Sequence, residues 1–207
     1  MVIVGIILFA VMAVAVVWFF AKKGRKGPRN VDKSSRTRSG RIDIYSQDLE
    51  FELKDIKAGG TNKTRYDYAH WLSPDDQRKH WVVEGEVGSQ WEKLWIEFTP
   101  SASGYVLINL RGSYYEDIQE NHHDVWVDDC DVSGASIKNG DFEMIDPTGK
   151  PAYWGWNGTP DRYVTDGSQS HGGQCSVLVW HDIALVQKIS VTAWQRYTIS
   201  AWFKAYK

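Results

Sequence analysis

Residues 123–143, HDVWVDDCDVSGASIKNGDFE, decide the fold. The first part alternates like a strand, with Val125 and Val127 on one face and Trp126 and Asp128 on the other. Ser133 and Gly134 break it. A short strand-like run, ASIK, comes next, and then the turn Asn139-Gly140-Asp141 leads into Phe142 and Glu143. The stretch reads as a join. The chain on its N-terminal side has the character of a closing half, and the chain on its C-terminal side that of an opening half.

Outward from the join, short alternating or apolar runs recur between turn residues. Before it lie LEFELKD at 49–55, HWVVEGEV at 80–87, QWEKLWIEF at 90–98 and GYVLINL at 104–110. After it come CSVLVW at 175–180, ALVQKIS at 184–190 and QRYTISAWFKAY at 195–206. No sustained helical period interrupts them. This pattern predicts an all-β sandwich over 43–207, long enough for one buried core. Ten of the eleven tryptophans fall in this region, where aromatics favour strands and bury large areas.

The start of the chain is different. Its first 20 residues, MVIVGIILFAVMAVAVVWFF, carry no charge and reach roughly 30 Å as a helix. Trp18, Phe19 and Phe20 stand at one end, as interfacial aromatics do. A cleaved signal peptide is the rival reading; it lacks a basic opening and an A-x-A-like site. The expected organisation is a single transmembrane helix over 1–21, a basic flexible linker over 22–42 and one β-sandwich over 43–207. The linker carries nine Lys or Arg and one acid, Asp32, which leaves 15 basic and 25 acidic residues after it. An acidic domain argues against a nucleic-acid partner. Basic residues directly after the span predict a cytoplasmic domain and contact with anionic lipid headgroups. Cys130 and Cys175 leave pairing open.

A family resemblance rests on several motifs. The segment from Ile137 resembles the start of galactose-binding-like jelly-roll modules, which include many carbohydrate-binding modules. It shows an NGDFE turn at 139–143, a tryptophan-containing stretch at 152–157, the run HGGQCSV at 171–177 and the pattern Y-T-x-S-x-W-x-K at 197–204. The segment before Asn139 is similar to the end of such modules, with W-x-x-L-x-x-x-F-T-P at 91–100, G-Y-V-x-I-x-L at 104–110 and V-W-V-D-D at 125–129. The family's ending precedes its beginning. One circularly permuted sandwich explains this; a swapped or partnered half-domain is the alternative. Permutation is favoured because the two halves together have the length of one ordinary sandwich, half a jelly roll would leave strand edges unpaired, and jelly-roll termini usually lie close together.

The resemblance also implies a structural calcium near the join, with ligands at Asp129, Asp141, Glu143 and the backbone of Gly173. The alternative is that these acids are solvated or accept backbone N–H groups. The resemblance implies glycan contact through aromatic faces as well. The candidates are Tyr66, Tyr68, Trp71 and Trp81, with Trp154 and Trp156 as a second group that would share one face of a strand. A protein partner would use the same residue types. Catalysis has little support: Glu84, Glu86, Glu92 and Glu97 read as a solvated face rather than a carboxylate pair. His122-His123-Asp124 and His181-Asp182 lack a further ligand. No cofactor is required. The leading expectation is a non-catalytic, membrane-anchored interaction or scaffolding module, an accessory subunit of a membrane complex. The alternative is an extracytoplasmic, membrane-anchored carbohydrate-binding module.

Overall fold

Alternating strands need two faces covered, one by a partner sheet and one by loops or water, and the chain meets this need with two antiparallel sheets. The structure is a computed structural model that describes residues 38–46, 52–61, 64–68, 79–113, 124–157 and 167–206, all within the unit Thr37–Lys207. The expected membrane span and most of the expected linker lie outside the described residues. Among the described residues, no helix is long and apolar enough to cross a membrane.

The strands are β1 (Arg38–Ser46), β2 (Leu53–Gly60), β3 (Thr64–Tyr68), β4 (His80–Val87), β5 (Glu92–Pro100), β6 (Gly104–Gly112), β7 (Val125–Ser133), β8 (Gly155–Asn157), β9 (Val177–Val179), β10 (Ala184–Val191) and β11 (Tyr197–Ala205). One sheet has the order β3-β4-β1-β6-β10-β8 and the other β2-β5-β11-β7-β9. Strands from before and after the join interleave. β10 pairs with β6, and β11 lies between β5 and β7. A single core collects both halves, including Ile42, Val83, Ile96, Ile108, Val127, Leu185, Ile199 and Phe203. Among the described residues, strands from both sides of the join contribute to both sheets and to one core.

Three expectations are corrected. Residues 38–42, assigned to the linker, open a central strand, because Gly40, Ile42 and Ile44 alternate inward against the other sheet. A Cβ on Gly40 would sit 2.5 Å from the Phe203 ring, so only glycine lets the two sheets approach there. The run ASIK forms no strand. Its last residue, Lys138, instead exchanges backbone hydrogen bonds with the buried Gln187 side chain, at 2.8 and 2.9 Å. Glu84, read as solvated, is 7 % exposed on the outer face of the six-stranded sheet.

Candidate functional site

The join is built around a bulge. Opposite β11, Ser200 pairs with Asp131 and Trp202 with Asp128, so Asp129 and Cys130 together face Ala201. Asp129 takes φ +44°. The extra residue turns Cys130 inward and leaves both Asp128 and Asp129 near the loop that precedes β9. Asp128 is buried and accepts three backbone N–H groups, from Asp129 (2.7 Å), His171 (2.7 Å) and Gly172 (3.2 Å). Burial pushes its pKa up to about 6, and the neighbouring Asp129 charge adds to this, against the opposing pull of the three N–H donors. Asp129 Oδ2 lies 2.5 Å from His171 Nδ1. A Cβ on Gly172 would meet that same oxygen at 2.8 Å.

The NGDFE turn is a structural knot. Asn139, at φ +52°, accepts the Met144 N–H with Oδ1 and donates from Nδ2 to the Met144 and Ala152 carbonyls. The Cys130 N–H donates to the Gly140 carbonyl at 2.8 Å, and any Cβ on Gly140 would strike the Cys130 carbonyl. Phe142 is fully buried against Trp154 at 5.3 Å, and Trp154 Nε1 donates to the Asn139 carbonyl at 2.8 Å. Glu143 Oε1 accepts the N–H groups of Gln174 (2.7 Å) and Cys175 (2.8 Å).

These partners decide the fit of calcium. The join does bring Glu143 beside Gly173, where a Cβ would lie 2.2 Å from Oε1, and Asp129 beside His171. Asp141 is exposed, and its charge is felt at Cys175 together with those of Glu143 and Asp128. Calcium needs six to eight oxygen ligands. Here amide hydrogens already point at the Glu143 and Asp128 oxygens. Among the described residues, no group of three or more His, Cys, Asp or Glu is placed to hold a metal ion. In this structure Glu143 and Asp128 act as carboxylates that cap the loop before β9. Cys130 and Cys175 are both free and buried, and burial pushes both thiols up.

The aromatic candidates divide. Trp81 (4 % exposed) and Trp154 (6 %) belong to the core, and Trp156 packs against it, so Trp81 and Trp154 present no face to a ligand. Tyr66 and Tyr68 lie in β3, paired with Val83 and Trp81. Trp71 lies outside the described residues. A different aromatic set, on the outer face of the five-stranded sheet, was missed. Trp91, Trp95 and Trp202 are half-buried there. His171 stacks on Trp202 at 4.1 Å with an 18° tilt and meets Trp91 edge-on at 5.7 Å. Lys204 lies over Trp91 at 5.0 Å and Lys93 over Trp202 at 5.8 Å. Lys57 pairs with Glu97 at 3.3 Å. Trp95 packs over β2: a Cβ on Gly59 would be 2.9 Å from its ring, so glycine leaves room for the indole there. The signal was in the sequence, since inward Leu94, Ile96 and Phe98 put Trp95 outward.

A second polar cluster lies on the outer face of the six-stranded sheet. Asp43 has no exposed surface, yet Arg41 Nε and Arg111 Nε each stand 2.5 Å from its carboxylate and His80 Nε2 stands 3.5 Å away. Burial works against its charge, but the His80 contact and the Arg111 and Arg41 charges outweigh it and hold the pKa below the usual range.

Compared with known protein families, curated proteins and solved structures, the chain gives no match.

Proposed function

We propose that the chain is a non-catalytic binding module, a permuted jelly roll of galactose-binding-like type, held at a membrane by residues 1–21 and by lipid contacts of its basic segment. Its ligand is a glycan laid on the outer face of the five-stranded sheet. The observation that supports this reading is the half-buried Trp95 ring on that face, packed so close to Gly59 that a Cβ there would meet it at 2.9 Å. Sugar rings offer C–H faces to such indoles and hydroxyls to charged neighbours. The rings of this face alternate with Lys93, Lys204 and the Lys57–Glu97 pair, whereas a protein interface gathers its aromatics into a core depleted of charge.

A pull-down of the full chain on a panel of neutral polysaccharides tests this. Trp95→Ala and Gly59→Val should each weaken binding at least tenfold with the melting temperature preserved for Trp95→Ala. Binding to no glycan, or binding indifferent to Trp95, overturns it.

A second reading is an accessory subunit of a membrane complex with the domain in the cytoplasm. The nine basic residues of 22–42 favour it. A C-terminal reporter fusion separates the two, because a glycan ligand requires the domain outside the cytoplasm.

A further inference from the structure

The three half-buried tryptophans on the outer face of the five-stranded sheet are not equivalent, and the difference bears on the size of the ligand. Trp202 is covered from within the chain. His171 stacks on it at 4.1 Å with an 18° tilt, and the same imidazole meets Trp91 edge-on at 5.7 Å. His171 is itself tied down: its N–H donates to Asp128 at 2.7 Å, and its Nδ1 lies 2.5 Å from Asp129 Oδ2. The chain that follows is pinned as well, by the Gly172 N–H on Asp128 and by the Gln174 and Cys175 N–H groups on Glu143. A ligand ring that sought Trp202 would have to displace an imidazole held by two carboxylates.

Trp95 has different surroundings. Its register neighbours are Gly59 on β2 and Ser200 on β11, which carry little or no side chain. The next row along the strands holds Lys57, Glu97 and Thr198. Lys57 Nζ lies 3.3 Å from Glu97 Oε1, and Arg196 Nε lies 3.9 Å from the same oxygen. Both members of the closer pair reach solvent, with side chains 63 % and 22 % exposed. An ammonium beside a carboxylate offers donors and acceptors together, and a sugar hydroxyl both donates and accepts. Two hydroxyls on adjacent ring carbons match such a pair, while the ring C–H groups rest on the indole.

We propose that the aromatic face takes a single sugar ring, stacked on Trp95 and read through two adjacent hydroxyls by Lys57 and Glu97. Trp91 and Trp202 instead hold the loop around His171. This rests on the glycan reading above and narrows it from a surface to one ring.

Isothermal titration calorimetry of the full chain tests the assignment, with the methyl glycosides of D-glucose, D-galactose, D-mannose and D-xylose and the linear tetrasaccharide of each. The sugar that binds should do so almost equally well as one ring or four, with a statistical gain of about fourfold at most. A platform that also used Trp202 would gain about tenfold or more from its second stacked ring. Glu97→Ala and Lys57→Met should each weaken the bound glycoside by about tenfold or more, as loss of a hydrogen bond to a charged group does. Thermal melts identify any variant that fails to fold, and the comparison of one ring with four on the unaltered chain decides without them. Binding that depends on Trp95 yet rises tenfold or more from one ring to four overturns the single-ring assignment and leaves the glycan reading standing. So does Trp95-dependent binding that ignores both Glu97→Ala and Lys57→Met. Binding to none of these sugars and to no polysaccharide overturns both.

Discussion

Removal of the Asp43 carboxylate is the sharpest test of how the six-stranded sheet is held. Asp43→Ala leaves Arg41 and Arg111, both mostly covered, facing each other across an empty position on adjacent strands. Stripping one partner from a buried ion pair costs about 3–5 kcal/mol, because the charges left behind cannot regain water. For a domain of this size that lowers the melting temperature by about 6–20 °C. The cost should be visible in guanidinium titrations followed by tryptophan fluorescence. A triple variant, Arg41→Met, Asp43→Leu and Arg111→Met, should recover most of the loss, since well-packed apolar groups replace such clusters at little cost. The pH dependence has a defined sign. Asp43 is held below its ordinary pKa, so its contribution is complete above about pH 4 and is lost as pH falls through the lower folded value. A loss below about 1 kcal/mol in Asp43→Ala, of the size seen for surface ion pairs, would refute the reasoning.

Three further outcomes are expected. Gly40→Ala should destabilise the domain by about 1–3 kcal/mol in the same titrations, because its Cβ must displace the buried Phe203 ring. Glu143→Ala should free the Gln174 and Cys175 N–H groups, seen as faster hydrogen exchange at those two amides while amides of β6 keep their protection. Asp128 behaves oppositely to Asp43: its pKa is raised to about 6, so its charged form opposes folding above that pH, and the domain should gain stability from this group as pH falls from 7 towards 5. Asp128→Ala should remove that gain in denaturation curves taken across the same pH range.

Short apolar runs and alternation of apolar with polar residues, set between turn residues, made β4, β6, β7, β10 and β11 legible. β1 was not legible. Its outward residues Arg41 and Asp43 are charged yet buried, and they come directly after a basic run, so the strand looks like the end of a linker. β3 and β8 are too short to carry a period. At the join, the motif residues were found but their task was not. A bulge at Asp129–Cys130 breaks the alternation and aims two carboxylates at a loop about 40 residues further on, a contact that no local pattern encodes. Tryptophan identity alone did not tell core from surface. Trp81 and Trp154 went inward and Trp95 outward, and only the phase of the neighbouring residues separates them.

The place of β1 between β4 and β6 bears on mechanical load. A pull on the chain ahead of Arg38 enters the sandwich through a strand hydrogen-bonded along both edges. An edge strand under tension loses one ladder and can peel away alone; β1 must release two, and with them the packing of Ile42 and Ile44 at the centre of the core. The domain should therefore resist force from that side as a unit, and yield only when both ladders fail together.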